Sequence, residues 1–153
     1  VKVATWLKRY DPTRMVDTDS GGPANALKAG DVDDLHVGSP TPNAHHPGAR
    51  QYMMNGEFGN YEFWIEGHTW TSSANHSEVC RLYGDGHETN SPPQPIAVQI
   101  AKDSAAAKQV GNLSIMSYVQ LTDLEMECDG MLSYDRTPKF NATQAAMIRK
   151  ANL

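Results

Sequence analysis

Tyr52-Met53-Met54-Asn55-Gly56-Glu57-Phe58-Gly59 is a short apolar run that ends in one carboxylate set between two glycines. A strand carrying Tyr52, Met53 and Met54 buries most of its side chains, and Gly56 and Gly59 let the backbone turn sharply or let a ligand come close. Glu57 is therefore expected at the carboxyl end of a buried strand, 51–57. In barrels of alternating strands and helices, the loops at that face converge on one pocket. Taken without its surroundings, the same glutamate also fits a solvated Gly-rich turn.

The surroundings predict an α/β chain. Before the central strand, Val3, Trp6, Leu7 and Tyr10 recur at i, i+3, i+4 and i+7, which predicts an amphipathic helix stopped by Asp11-Pro12. Arg14 to Asp19 reads as a strand closed by Ser20-Gly21-Gly22-Pro23, and Asn25 to Ala29 as a helical turn. Val32 to Val37 reads as a strand with Asp34 and His36 on one face. A loop rich in Pro, Gly and His fills 38–50. After the central strand, 60–95 has no sustained periodicity, but aromatic residues recur at Tyr61, Phe63, Trp64, Trp70 and Tyr83. Beside Glu62, Glu66 and His68 these rings suit a sugar-binding wall, and equally a loop packing on itself. A helix over 95–110, a strand over 113–121, an acidic loop over 122–130, a short extended piece over 131–134 and a helix over 143–150, capped by Asn141 or Thr143, complete the chain.

Composition narrows the function classes. The 153 residues suit one domain, and 20% charged with 39% hydrophobic residues indicate a globular chain. A net charge of −5 offers no footprint for nucleic acid or an anionic membrane surface. No apolar run approaches the length of a membrane span. Cys80 and Cys128 form either one bridge or two free thiols. Triplets at Asn75, Asn112 and Asn141 match the N-glycosylation pattern and tilt the chain towards secretion. His36, His45, His46, His68, His76 and His87 fit no metal-ligand spacing, and Asp123 to Asp129 lacks the order of an EF-hand loop, so no metal is expected and the acidic residues there read as a solvated rim. The chain opens on Val1 without an initiator Met, and is expected to be a piece of something longer.

Several segments, in order, resemble the catalytic barrel of glycoside hydrolase family 2, the β-galactosidase and β-glucuronidase family. Tyr10-Asp11-Pro12-Thr13-Arg14 resembles the entry to its fifth strand, and Gly30-Asp31-Val32-Asp33-Asp34-Leu35-His36 its sixth strand, which ends in a substrate-side histidine. Asn55-Gly56-Glu57-Phe58-Gly59 resembles the seventh, where the family's nucleophile lies, and Glu66-Gly67-His68-Thr69-Trp70 the loop beyond it. Gln120-Leu121-Thr122-Asp123-Leu124-Glu125 and Gly130-Met131-Leu132-Ser133-Tyr134-Asp135-Arg136 resemble the eighth strand and the run after it. The resemblance spans nearly the whole chain and is weakest over 71–110.

The resemblance implies half of a (β/α)8 TIM barrel over 1–153, strands 5–8 with their helices, incomplete without a partner segment. It implies part of a retaining β-glycosidase with Glu57 as nucleophile, His36 and His68 on the substrate side, Trp70 or Trp64 as a sugar platform, and no cofactor. A retaining mechanism needs a second carboxyl group as acid/base. The family's acid/base follows an Asn at the end of the fourth strand, and none of Glu62, Glu66, Asp123 or Glu125 stands in such a pair. Two further departures are Val37-Gly38, where relatives carry an aromatic residue that holds the nucleophile, and Asn60 in place of a second Gly. By itself the chain is expected to be inactive. The alternative reading is a structural or interaction component of a larger assembly, built on a relict glycosidase. Either way a half-barrel has open sheet edges, and Val16, Leu35, Met53, Ile115 and Tyr118 are expected to need cover from a missing half or other subunits.

Overall fold

A computed structural model describes residues 2–18, 20, 29–36, 50–70 and 93–153. The expected helical turn at 25–29 and the histidine-rich loop fall largely outside them. So do Tyr83, Cys80, Asn75, His45, His46, His76 and His87. The chain divides into two compact units, Val1–Phe58 with Ala106–Ser117, and Gly59–Ala105 with Tyr118–Leu153.

Among the described residues six elements follow one another: α1 (Lys2–Tyr10), β1 (Val32–Asp34), β2 (Tyr52–Gly59), α2 (Pro93–Ala107), β3 (Leu113–Val119) and α3 (Ala142–Asn152). The strands form one three-stranded sheet in the order β1-β2-β3. β1 runs parallel to β2 with Val32 opposite Tyr52 and Asp34 opposite Met54. The Tyr52 N–H donates to Asp31 O at one end of this register, and the Leu35 N–H to Met54 O at the other, both at 2.8 Å.

Half of an eight-stranded barrel is not what the fold shows. The fourth strand that such a half requires, expected over 14–19, is not in the sheet: described residues 14–18 form no ladder. The cause is Asp31. Its carboxylate accepts the Val16 N–H at 2.8 Å, and its own N–H donates to Val16 O at 2.8 Å. With both polar groups of Val16 taken by one residue, a neighbouring strand has nothing to pair with there. Gly30 makes the turn at φ 83, close enough to Val16 O that a side chain would collide with it.

In the first unit Leu35, Met53 and Val110 bury against one another, with Leu113 alongside. Leu35 and Met53, expected to lie open, are thus covered by the turn after α2 and the start of β3. α1 buries only Ala4, while its apolar stripe of Val3, Trp6, Leu7 and Tyr10 is exposed. Lys8 reaches across to Asp31 at 3.1 Å and to Arg14 O at 2.9 Å, holding the segment after the helix.

The second unit packs Ile96, Ala97 and Ile100 of α2 against Phe63 and Ile148 of α3, with Tyr61, Tyr118, Met131 and Phe140 around them. The helical spacing of 96, 97 and 100 selects that face. α3 begins in a capping box: Asn141 accepts the Gln144 N–H at 3.0 Å, and the Gln144 side chain accepts the Asn141 N–H at 2.9 Å. Asn141, rather than Thr143, is therefore the cap. No helix among the described residues is long and apolar enough to cross a membrane.

Candidate active site

Parallel pairing of β1 and β2 brings their carboxyl ends to the same side of the sheet, and the polar residues of 34–36 and 56–57 meet there. Leu35 still bonds to β2, after which the chain leaves the sheet at His36, whose φ of 38 lies in the left-handed region. That conformation is uncommon for a residue with a side chain. It turns the imidazole back over β2, where Nε2 lies 2.9 Å from Glu57 Oε2. Both side chains remain 34% exposed, so both can be touched from solution.

Beneath the pair lies Asp34, 4% exposed. Its Oδ1 accepts the Gly56 N–H at 2.6 Å and the His36 N–H at 3.2 Å. Gly56 is not at a turn: β2 runs on to Gly59, and the close approach the glycine permits is that of Asp34, whose carboxyl fills the space a Cβ would need. Two buried atoms here, Asp34 Oδ2 and His36 Nδ1, have no hydrogen-bond partner among the described residues. Asp34 is the residue that reading the sequence missed. Its place on the face of His36 was visible, but nothing local showed that it binds a peptide group of the next strand.

The other expected site residues belong to the second unit. His68 Nδ1 lies 2.7 Å from Asp135 Oδ2. The Ser133 hydroxyl donates to Asp135 Oδ1 at 2.6 Å, and this bond together with His68 holds the Asp135 carboxyl well below the usual carboxylate range. Trp64 is half-buried against Cys128, and Trp70 is exposed. Cys128 is buried in a disulfide. Of the five expected residues, His36 and Glu57 are in direct contact, while His68, Trp64 and Trp70 each have the separate surroundings just given.

The acidic loop is not a solvated rim. Asp123 and Asp129 are buried, and Asp123 pairs with the fully buried Lys139 at 2.6 Å. Lys139 spends its other donors on Phe63 O at 2.6 Å and Cys128 O at 2.8 Å. Burial pushes Asp123 up and Lys139 down, while their mutual attraction opposes both shifts. Glu62 is pushed up to about 7 by burial and by the nearby charges of Asp129, Glu127 and Asp123, with Lys139 opposing. Burial likewise raises Asp129 to about 6, against a hydrogen bond from Gln120 that lowers it.

These raised values have a sign. Glu62 and Asp129 keep protons in the folded unit at a pH where the unfolded chain has released them, so protonation favours the fold. Their contribution is complete below about pH 4 and is lost as the pH rises through 6 to 7. After allowance for solvent screening it amounts to about 1–2 kcal/mol. The melting temperature is expected to fall between pH 5 and 8, and Glu62→Gln to flatten most of that slope; an equal slope in the variant would refute the assignment.

Among the described residues no group of three or more His, Cys, Asp or Glu side chains is arranged to hold a metal ion. No family model matches the sequence, and no curated protein matches it.

Proposed function

We propose that this chain is part of a retaining β-glycosidase in which Glu57 is the nucleophile and His36 orients it. The observation that carries the reading is the 2.9 Å contact between His36 Nε2 and Glu57 Oε2 at the carboxyl ends of two parallel strands. The ordered motifs around Asp34-Leu35-His36 and Asn55-Gly56-Glu57-Phe58-Gly59 support the same reading. With Oε2 held by the imidazole, Oε1 is the oxygen that meets the substrate. It forms a bond to the anomeric carbon as the bond from that carbon to the leaving oxygen breaks, giving a glycosyl ester. A carboxylic acid supplied by a partner segment protonates the leaving oxygen and then activates the water that cleaves the ester.

The remaining residues have graded roles in this proposal. His68 is fixed at Nδ1 by Asp135, which leaves Nε2 to meet a sugar hydroxyl. Trp70 is the exposed ring on which a sugar face stacks. Trp64 has less surface to offer, because it packs on Cys128.

The test separates the nucleophile from the acid. A 2-fluoro glycoside with a dinitrophenolate leaving group needs no acid for the first step, and the fluorine slows release of the ester. Incubation with β-galactosyl, β-glucosyl, β-mannosyl and β-glucuronosyl reagents is expected to add one glycosyl mass to the peptide that contains Glu57. Absence of label with all four would favour the alternative, a non-catalytic component of a larger assembly.

A further inference from the structure

A carboxylate removed from water is costly unless it is hydrogen bonded, and Asp34 uses only half of its capacity. Oδ1 takes two N–H groups, while Oδ2 is buried without a partner among the described residues. The two N–H groups are those that carry the site. One belongs to Gly56, directly before Glu57, and the other to His36 itself.

Two further features tie Asp34 to the same place. A residue larger than glycine at 56 would strike its carboxyl. His36 holds a left-handed backbone conformation that residues with side chains seldom adopt, and such strain persists only where the surroundings enforce it. The Asp34 bond to its N–H is part of that enforcement.

We propose that Asp34 is a positioning residue for the nucleophile: by gripping the N–H groups of Gly56 and His36 together, it sets how His36 Nε2 meets Glu57 Oε2 and so aims the attacking carboxylate. The catalytic consequence rests on the glycosidase reading; the geometric one does not. Small losses of aim cost large factors in rate, because the reacting atoms must be held close to the geometry of attack.

The experiment uses the full chain and two readouts. The first is the rate of trapping by the 2-fluoro glycoside, resolved into its maximal rate and its half-saturating concentration. The second is the 15N resonance of His36 Nε2, with Glu57→Ala as the reference for a broken pair. Asp34→Ala is expected to lower the maximal trapping rate by about 10- to 100-fold, with little change in half-saturation, and to move the His36 resonance to its position in the reference. Gly56→Ala, whose methyl displaces the Asp34 carboxyl, is expected to do the same. Asp34→Asn keeps an acceptor for both N–H groups and is expected to retain most of the rate and the wild-type resonance.

A wild-type His36 resonance in both Asp34→Ala and Gly56→Ala overturns the proposal, as does an Asp34→Asn variant as impaired as Asp34→Ala. If Asp34→Ala does not fold, the other two variants decide. If the wild-type chain takes no label, the glycosidase reading fails by itself, and the His36 resonance still decides the role of Asp34.

Discussion

Replacing Glu57 by glutamine is expected to lower glycosyl trapping by at least about a thousandfold, since removal of a covalent nucleophile has effects of that order or more. The amide matches the carboxylate in shape and can still accept a hydrogen bond from His36, so the fold should be retained. What disappears is the negative oxygen that bonds to the anomeric carbon. Glu57→Ala has a sharper signature. It opens a space on the nucleophile's side of the sugar, so added azide should restore turnover of a dinitrophenyl glycoside and give the azide product with inverted anomeric configuration. Trapping that survives in Glu57→Gln, or label on another residue, would move the nucleophile elsewhere. The other carboxylate already known at this site, Asp34, is too buried to be its first replacement.

Lys139→Met is expected to destabilise the second unit by about 3–5 kcal/mol, the usual cost of removing one partner of a buried ion pair. Three acceptors converge on the Lys139 ammonium: Asp123 Oδ1, Phe63 O and Cys128 O. The ammonium also lies 4.6 Å from the centre of the Phe63 ring. Methionine fills the volume but leaves the Asp123 charge without its counter-ion and takes the ammonium donor from Phe63 O and Cys128 O, of which Cys128 O keeps the Phe63 N–H at 3.0 Å. The unpaired carboxylate can take a proton, so the loss should be smaller at pH 5 than at pH 8. Adding Asp123→Asn removes that charge and keeps an acceptor for the Gly130 N–H, which Asp123 holds at 2.9 Å. The double variant should therefore recover part of the loss and none of the pH dependence. Denaturant unfolding at the two pH values measures both effects. A loss below about 1 kcal/mol would mean that the pair behaves as a surface contact.

The helices were readable because their signals are local. The spacing of Val3, Trp6, Leu7 and Tyr10 marks α1, the alanine run and Ile96 with Ile100 mark α2, and Asn141 caps α3 three residues before Gln144. The strand through Met53 and Met54 was readable for the same reason, and so was the approximate place of β1 and β3. The expected strand over 14–19 is not in the sheet, and Val16 within it bonds instead to Asp31, 15 positions away. No pattern within the segment itself reports that bond. Gly56 was marked as a place for a sharp turn or the close approach of a ligand, and what approaches it is the Asp34 carboxyl.

By itself the sequence determined the α/β class, the helices and central strand, the absence of any nucleic-acid charge signature, and Glu57 and His36 as residues to compare. Those properties depend on composition and on periodicity over a few residues. Tertiary structure decided that three strands form the sheet and that His36 reaches Glu57. It also decided that Asp34 accepts the N–H groups of Gly56 and His36, and that Asp123 and Asp129 are buried rather than solvated, Asp123 against Lys139. Each of these depends on a hydrogen bond or an ion pair between residues distant in the chain. Charged side chains carry no mark in the sequence that tells burial with a partner from exposure to water, and only the packed fold provides or withholds the partner.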